Sequence, residues 1–569
     1  MIHAPLFKSL LLVSIMAAPV PTLAQQISSE WSPLEDAYGS AEPEPEARDV
    51  LAKKSRNGDG PTRPRVDVVP YIEAQHVLVA DLKGGGDVLT YSTVAAGIDA
   101  SVVTQRTEAQ VNLRYERLIS YDDRVQDQDN VNGLARGSVA LTRNFRFDAG
   151  GVAARTRVDG RGAAPLAGNA DNVTQVYSVY AGPSFTTQAG QLSVNASYRA
   201  GYTRLESQDK VALPSGQQRF DQFDDSISQV ATASVGMQPG VLPVGWTVSA
   251  SWKREDAGQL DSRLEGKYAR ADVILPVSPT FGLVGGVGYE VIEISERDAL
   301  RDASGLAIVG TDGRLVTDPA SPRLIAYAED GLIWDAGVSW RPSPRTALEA
   351  RYGHRYGTDS YVGSFSYQPG RGWGVNVSAY DSVSGFGGLL GDNLASLPTQ
   401  FRSTRNPLSG DLNGCAFGES GGYCLNDSLQ GAPSAAFRQR GVTASFSGTN
   451  GGWDSGVALG YNQRKFIASR LGAQAQIDGL TDENYFAAAN LGRNLDRLTR
   501  FESNLYASYS DPGFSGAPDT LSTGANAALY RQIIRGLSAS AAVGVDSRKQ
   551  DDVDRALTAS ALLGLRYSF

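Results

Sequence analysis

An all-β chain closed into one transmembrane antiparallel barrel is the fold this sequence predicts. Three observations predict it: apolar residues recur at every second position, connections alternate between short and long, and the chain finishes on an aromatic residue. Period two means a strand, because successive side chains point to opposite faces. Composition agrees, with 63 glycines and 24 tyrosines beside 3 methionines, 2 cysteines and 3 histidines. After the N-terminal segment no apolar run reaches the ~18–20 residues of a spanning helix. A net charge of −9 excludes a nucleic-acid partner on electrostatic grounds.

Residues 1–24 read as a signal peptide. Lys8 supplies the positive charge, "SLLLVSIMAA" (9–18) the short apolar core, and Thr22-Leu23-Ala24 the small residues before a cleavage point at Gln25. The exported chain meets an oxidising compartment. Residues 25–65 contain "SAEPEPEARD" and "KKSRNGDGPTRPR". Neither stretch carries a periodic apolar face, so the segment is expected to be a disordered periplasmic linker.

From residue 66 to 569 one pattern repeats. In "TEAQVNLRYE" (107–116), Ala109, Val111, Leu113 and Tyr115 oppose Glu108, Gln110, Asn112, Arg114 and Glu116. "QLSVNASYRAGY" (191–202), "GWTVSASWKRE" (245–255) and "TALEARYGHRY" (346–356) alternate likewise. Alternation alone fits a soluble sandwich as well as a membrane barrel. Strands of about 10–15 residues, longer than soluble strands, favour the barrel. So do aromatics near the ends of the apolar faces: Tyr115, Trp246, Trp252, Tyr352 and Tyr356. Short turns such as 105–106, 143–144 and 278–280 alternate with long links such as 159–172, 299–330 and 388–435. The count is about 22 strands, within a range of about 18–24. The apolar face switches parity after Arg117 and after Tyr268, which predicts bulges or miscounted turns there.

These features, with the terminal "RYSF", resemble bacterial outer-membrane β-barrel proteins. The resemblance implies the outer membrane as location, lipid and lipopolysaccharide as surroundings, and Phe569 as the assembly signal read by the barrel-assembly machinery. "VDVVPYIEAQHVLVADLKGGGDVLTYSTVAAGIDASVVT" (66–104) is similar to the first hairpin of the β-barrel porins of alphaproteobacteria. Some of that family accompany exopolysaccharide or capsule systems. TonB-dependent receptors also have about 22 strands, around a plug domain. Only about 40 residues separate Ala24 from Val66, so no plug domain is expected here.

The polar parity collects charges of both signs: Glu108, Arg114, Glu116, Arg199, Lys253, Glu349, Arg351, Arg355 and Arg566, with Asp99, Glu255, Arg500 and Glu502. They predict a hydrated lumen that sorts solutes by charge, or cross-strand pairs that satisfy one another. Residues 384–427 form the longest connection, expected to be an external loop rather than a lumenal constriction. Cys415 and Cys424 within it are expected to form a loop-closing disulfide. "GFGGLLG" (385–391) is no phosphate cradle, because no Lys-Ser/Thr follows. Asp122, Asp123, Asp127, Asp129, Asp551, Asp552 and Asp554 lack the spacing of a calcium loop.

No metal site, cofactor or enzymatic activity is expected. His354 shares the parity of Tyr352 and Tyr356 and so faces lipid, and His76 has no evident Ser or Asp partner. The expected function is channel-type passage of small solutes or polysaccharide through the charged lumen. The alternative is a structural or surface-interaction barrel with an occluded lumen.

Overall fold

The computed structural model describes residues 64–569 apart from 84–87, 122–126, 158–172, 207–220, 371, 419–420, 426–428, 514–516, 551–552, 241 and 430. The signal segment, the linker up to residue 63, and the tips at Asp122, Asp123, Asp551 and Asp552 therefore lie outside the described residues, while Arg65, expected in the linker, already opens the first strand.

The first strands are β1 (Arg65–Lys83), β2 (Val88–Val103), β3 (Thr107–Ser120), β4 (Gln128–Ala140), β5 (Phe145–Arg157), β6 (Val173–Ala189), β7 (Leu192–Leu205) and β8 (Asp225–Met237). Then come β9 (Gly245–Ala257), β10 (Ser262–Ser278), β11 (Phe281–Glu296), β12 (Leu324–Ser343), β13 (Thr346–Arg355), β14 (Thr358–Gly370) and β15 (Trp373–Ser384). A helix α1 (Phe386–Ala395) and short strands β16 (Arg402–Arg405), β17 (Leu412–Gly418) and β18 (Gly421–Cys424) follow. The chain ends with β19 (Ala436–Asn450), β20 (Trp453–Ile467), β21 (Thr481–Asn494), β22 (Thr499–Asp511), β23 (Thr520–Ile534), β24 (Leu537–Gln550) and β25 (Val553–Ser568).

All but β16–β18 belong to one antiparallel 22-stranded sheet. β1 pairs with both β2 and β25, so the sheet closes on itself. Both termini of the ring lie at the end with the short turns, such as 190–191, 279–280 and 535–536. That end is periplasmic in barrels of this architecture.

The exterior is apolar over a membrane's depth. On β11, Phe281, Leu283, Val287, Tyr289 and Val291 face outward and Glu293 follows. The run from Phe281 to Val291 matches the ~9–11 residues that cross a bilayer at a tilt. Phe147, Trp246, Phe281, Trp340 and Tyr567 mark its periplasmic edge. Tyr115, Tyr289, Trp334, Tyr352 and Tyr361 mark its outer edge. Aromatic rings with polar tips settle at such interfaces.

Neither predicted parity switch is a bulge. β3 holds its register with β2 and β4 through Arg117, and β10 holds its register with β9 and β11 through Tyr268. What changes is the surroundings. Above the apolar band the outer face meets water and carries Arg117, Arg263, Glu265 and Lys267. The inner face there carries Leu118 and Leu264, which pack in interior clusters. Polarity inverts while side-chain direction does not.

Tyr356 does not join the lipid-facing set. With Gly357 it makes the two-residue turn between β13 and β14, at φ 55° and 70°, as a hairpin of type I′ requires. Its ring is buried inside, with the guanidinium groups of Arg355 and Arg438 at 4.6 and 5.0 Å. His354 keeps the outward parity, as the register partner of Trp334.

The longest connection is not an external loop. It enters the barrel, because its backbone and side chains bond to inward-facing residues along the height of the wall. At the seam, the N–H of Phe569 donates to the carbonyl of Pro70 at 3.0 Å, and its ring meets Tyr567 edge-on at 5.2 Å. Phe569→Ala is expected to lower the heat-modifiable, folded fraction in outer-membrane preparations severalfold, measured by gel mobility with and without boiling.

Candidate functional site

The interior wall of β10–β13 is an ion-pair lattice. Arg270 bridges Asp272 and Asp335, both at 2.6 Å. Arg351 bonds the same two carboxylates at 2.8 and 2.9 Å, and Glu349 at 2.6 Å. β11 passes beneath with Gly286, where a Cβ would collide with the Arg270 guanidinium. A glycine lets the long side chains lie flat across the strand. Arg355 makes a fork with Glu290. On the facing wall Arg114 joins Glu73 and Glu116. In low dielectric such groups persist only when each charge is matched.

The inserted segment covers much of the opposite wall. α1 lies against β5–β8. Phe386, Leu390, Leu394, Leu397 and Phe401 share one core with Leu134, Val152, Val176, Tyr180, Leu205 and Phe223. The glycines of "GFGG" serve close approach. The Gly385 N–H donates to Glu255 at 3.1 Å, and a Cβ on Gly387 would collide with the Ser226 hydroxyl. Asp392 pairs with Arg199, and Arg136 donates to the Leu397 carbonyl at 3.0 Å. Thr399 then donates to Glu108 at 2.9 Å, at the periplasmic end of β3. The segment thus descends the full height of the wall. It rises again through Arg405, which bonds Asn112 and the Asn132 carbonyl, and Asp411, which pairs with Arg155. Leu408 reaches across to Val77, Val79, Ala542 and Leu562 at the β1–β25 seam.

Outer loops meet over this segment. Asp221 accepts the Leu315 N–H at 2.8 Å, the Gln259 amide at 2.5 Å and the Ser434 hydroxyl at 3.3 Å. Four connections are thereby tied to one carboxylate. Gln474 donates to Ser434 at 3.1 Å and adds a fifth. Burial pushes the Asp221 carboxyl up to about 6, against the opposing pull of those donors.

The residues predicted for the lumen all have inward parity, and they divide into two groups. Arg114, Glu116, Glu349, Arg351 and Arg355 are buried in ion pairs. Glu108, Arg199, Lys253 and Arg566 stay partly exposed. Arg566 pairs with Asp99 at 2.6 Å. Sequence reading missed Arg270, Asp272, Glu290 and Asp335, although each has the parity of its strand's inner face. It also missed Asp221, whose partners come from distant loops.

The register pairs Cys415 with Cys424 across β17 and β18, and the side chains of both lie outside the described ones. Asp127 and Asp129 pair with Arg117 outside the barrel at 3.2 and 2.8 Å. His76 does have a partner: its Nδ1 lies 3.0 Å from the Ser92 hydroxyl, which lies 2.9 Å from the Tyr121 hydroxyl. Among the described residues no carboxylate is bonded to this exposed trio.

Neither a family model nor a curated protein matches the chain. Solved structures that resemble it include the FrpB iron transporter of Neisseria meningitidis, at 9% identity and TM-score 0.40, covering 88% of this chain and 81% of that one. Another is the ferric-catecholate import receptor Fiu of Escherichia coli K12, at 11% identity and TM-score 0.42, covering 89% and 82%. A third is the alcaligin outer-membrane receptor FauA of Bordetella pertussis, at 10% identity and TM-score 0.36, covering 88% and 76%. A closed barrel with an aromatic-bounded apolar exterior and a charged interior is a bacterial outer-membrane β-barrel.

Two outcomes follow from this geometry. Arg270→Ala leaves two buried carboxylates short of a partner and is expected to destabilise the barrel by about 3–5 kcal/mol, read from urea unfolding in lipid vesicles. For Asp221, a raised folded value means the closed loops bind the proton better than open ones. Its contribution to closure is complete below the ordinary carboxylate range and is lost as pH rises through about 6. Spin labels at Ser304 and Leu471 are expected to give a broader distance distribution at high than at low pH. Asp221→Asn flattens that difference.

Proposed function

We propose that the protein is a non-enzymatic outer-membrane channel for small polar solutes, with its aperture set by the inserted segment between β15 and β19. The observation that carries this reading is one-sided docking. The contacts of α1 and its N-terminal Gly385, and of residues 397–411, fall on β3–β9, on the β23–β25 and β1 seam and, through Leu389, on β19 and β20. The β10–β13 arc presents a flat charged wall instead. Partly exposed charges of both signs, Glu108, Arg199, Lys253 and Arg566, favour hydrated solutes over apolar ones. The porin family, and passage of polysaccharide within an export system, are the finer forms of this reading. Outer-membrane lipid, lipopolysaccharide and the barrel-assembly machinery acting on Phe569 are its partners.

A second reading is a structural barrel with a closed lumen. It is favoured by the mutual satisfaction of the buried ion pairs and by the loops knitted at Asp221.

Planar-bilayer recordings separate the two. The refolded chain is expected to show discrete conductance steps, and a variant with 386–434 replaced by a short Gly-Ser linker is expected to show severalfold larger ones. No steps from the intact chain, with steps only from the shortened variant, favour the closed barrel. No steps from either sink the channel.

A further inference from the structure

The charged lattice stops at β14. The rows that hold Arg351 and Glu349 on β13 pass to Val362 and Ser364. They continue through β15 and β19–β23 and meet no further charge before β24. On β14 and on each of these strands, four consecutive inward positions are Ser, Thr, Asn, Tyr, Gly, Ala, Val or Phe. Charge returns above and below this face. Arg464 pairs with Asp482 toward the outside at 2.6 Å, and Arg500 with Asp454 and Glu502 toward the periplasm at 3.1 and 2.7 Å.

The inserted segment divides the uncharged face. β18 approaches β15, β19 and β20, and Leu408 sits against Ala528 of β23 and the seam. Between them run the inward positions of β21–β23. Asn490, Ser508 and Ser522 are partly exposed there, and Tyr506 is 37% exposed. The Tyr506 ring fills the place that a Cβ on Gly524 would take, and its hydroxyl donates to Asp546 at 2.6 Å. The ring therefore lies flat on the wall and turns one face to the lumen. Beside it the Asn504 amide donates to Asn526 at 2.9 Å. Asn484 and Asn490 each keep an amide oxygen that accepts no hydrogen bond from the described residues.

We infer that this strip is the path of a neutral saccharide, with Tyr506 as its stacking platform. The inference rests on the channel reading above and names its solute class. An ion entering the strip gives up water and meets no counter-charge. A neutral polyol exchanges water hydrogen bonds for amide and hydroxyl ones, at little net cost. Its hydroxyls are donors, which the open oxygens of Asn484 and Asn490 require. Its C–H face carries slight positive charge, which suits the negative face of a flat phenol ring. The charges of β10–β13 are bonded to one another and leave little field to draw ions instead.

The test records ion current through the full mature chain in planar bilayers while a trisaccharide is added. Maltotriose, which is neutral, is expected to block the current in a saturable way. Trigalacturonate, its anionic counterpart in length, is expected to need a severalfold higher concentration for the same block. Tyr506→Ala is expected to raise the half-blocking concentration of maltotriose severalfold. Ser508→Arg, which puts a cation on the strip, is expected to lower that of trigalacturonate severalfold. Heat-modifiable mobility verifies folding, and Ser508→Arg carries the test if Tyr506→Ala fails to insert. Current steps without maltotriose block, equal block by the two trisaccharides, or block that neither variant changes overturns the inference and leaves the channel standing. No steps at all from the intact chain overturns the channel reading and this inference with it.

Discussion

Everything in this molecule depends on the pairing of β1 with β25. In hydrocarbon an unpaired backbone N–H or C=O has no water to turn to, so an open sheet edge cannot sit there. Closure removes the edge and fixes what each residue meets. One parity meets lipid and can be apolar throughout. The other meets the interior, where a buried charge needs an opposite charge or hydrogen-bond donors, as Glu255 has from Ser226 and Gly385. Arg270, Arg351, Asp272, Asp335 and Glu349 are a matched set, held across β10, β12 and β13. Buried lattices of this kind add little net energy over apolar packing, and they penalise any wrong register, because a slip would leave charges alone.

The interior is also divided by height. Near the outer rim the wall is apolar inward and charged outward. This reversal lets the inserted segment pack a true core, with Phe386, Leu390 and Leu394 against Val176 and Leu205. Below it the contacts turn polar, through Arg136, Gln110 and Glu108. One connection thus acts as core filler at one depth and as polar lining at another.

Much of this was legible in the residue order. Strand number, the sided loop lengths and the inward direction of Arg351 follow from period-two alternation, which is a local property. The failures came where surroundings change along a strand. At Leu118 and Leu264 an apolar residue on the inner parity looked like a bulge, because alternation reports contrast between faces and not which face is wet. Tyr356 was misplaced because its φ of 55° ends the strand one residue early. The inserted segment was misjudged because its anchors, Glu255 and Arg199, lie more than a hundred positions away in sequence. Nothing local in "GFGGLLG" says that its glycines press against a wall.

Leu408 gives the inserted segment a role in time as well as in space. Its pocket is built from Val77 and Val79 on one side of the seam and Ala542 and Leu562 on the other. The first two residues emerge early in synthesis and the last two at its end, whereas Leu408 itself belongs to neither hairpin. The pocket does not exist until the first and last strands have met. Leu408 therefore has its full set of neighbours only in the closed ring, so the inserted segment is fastened from within to the joint that closes the cylinder.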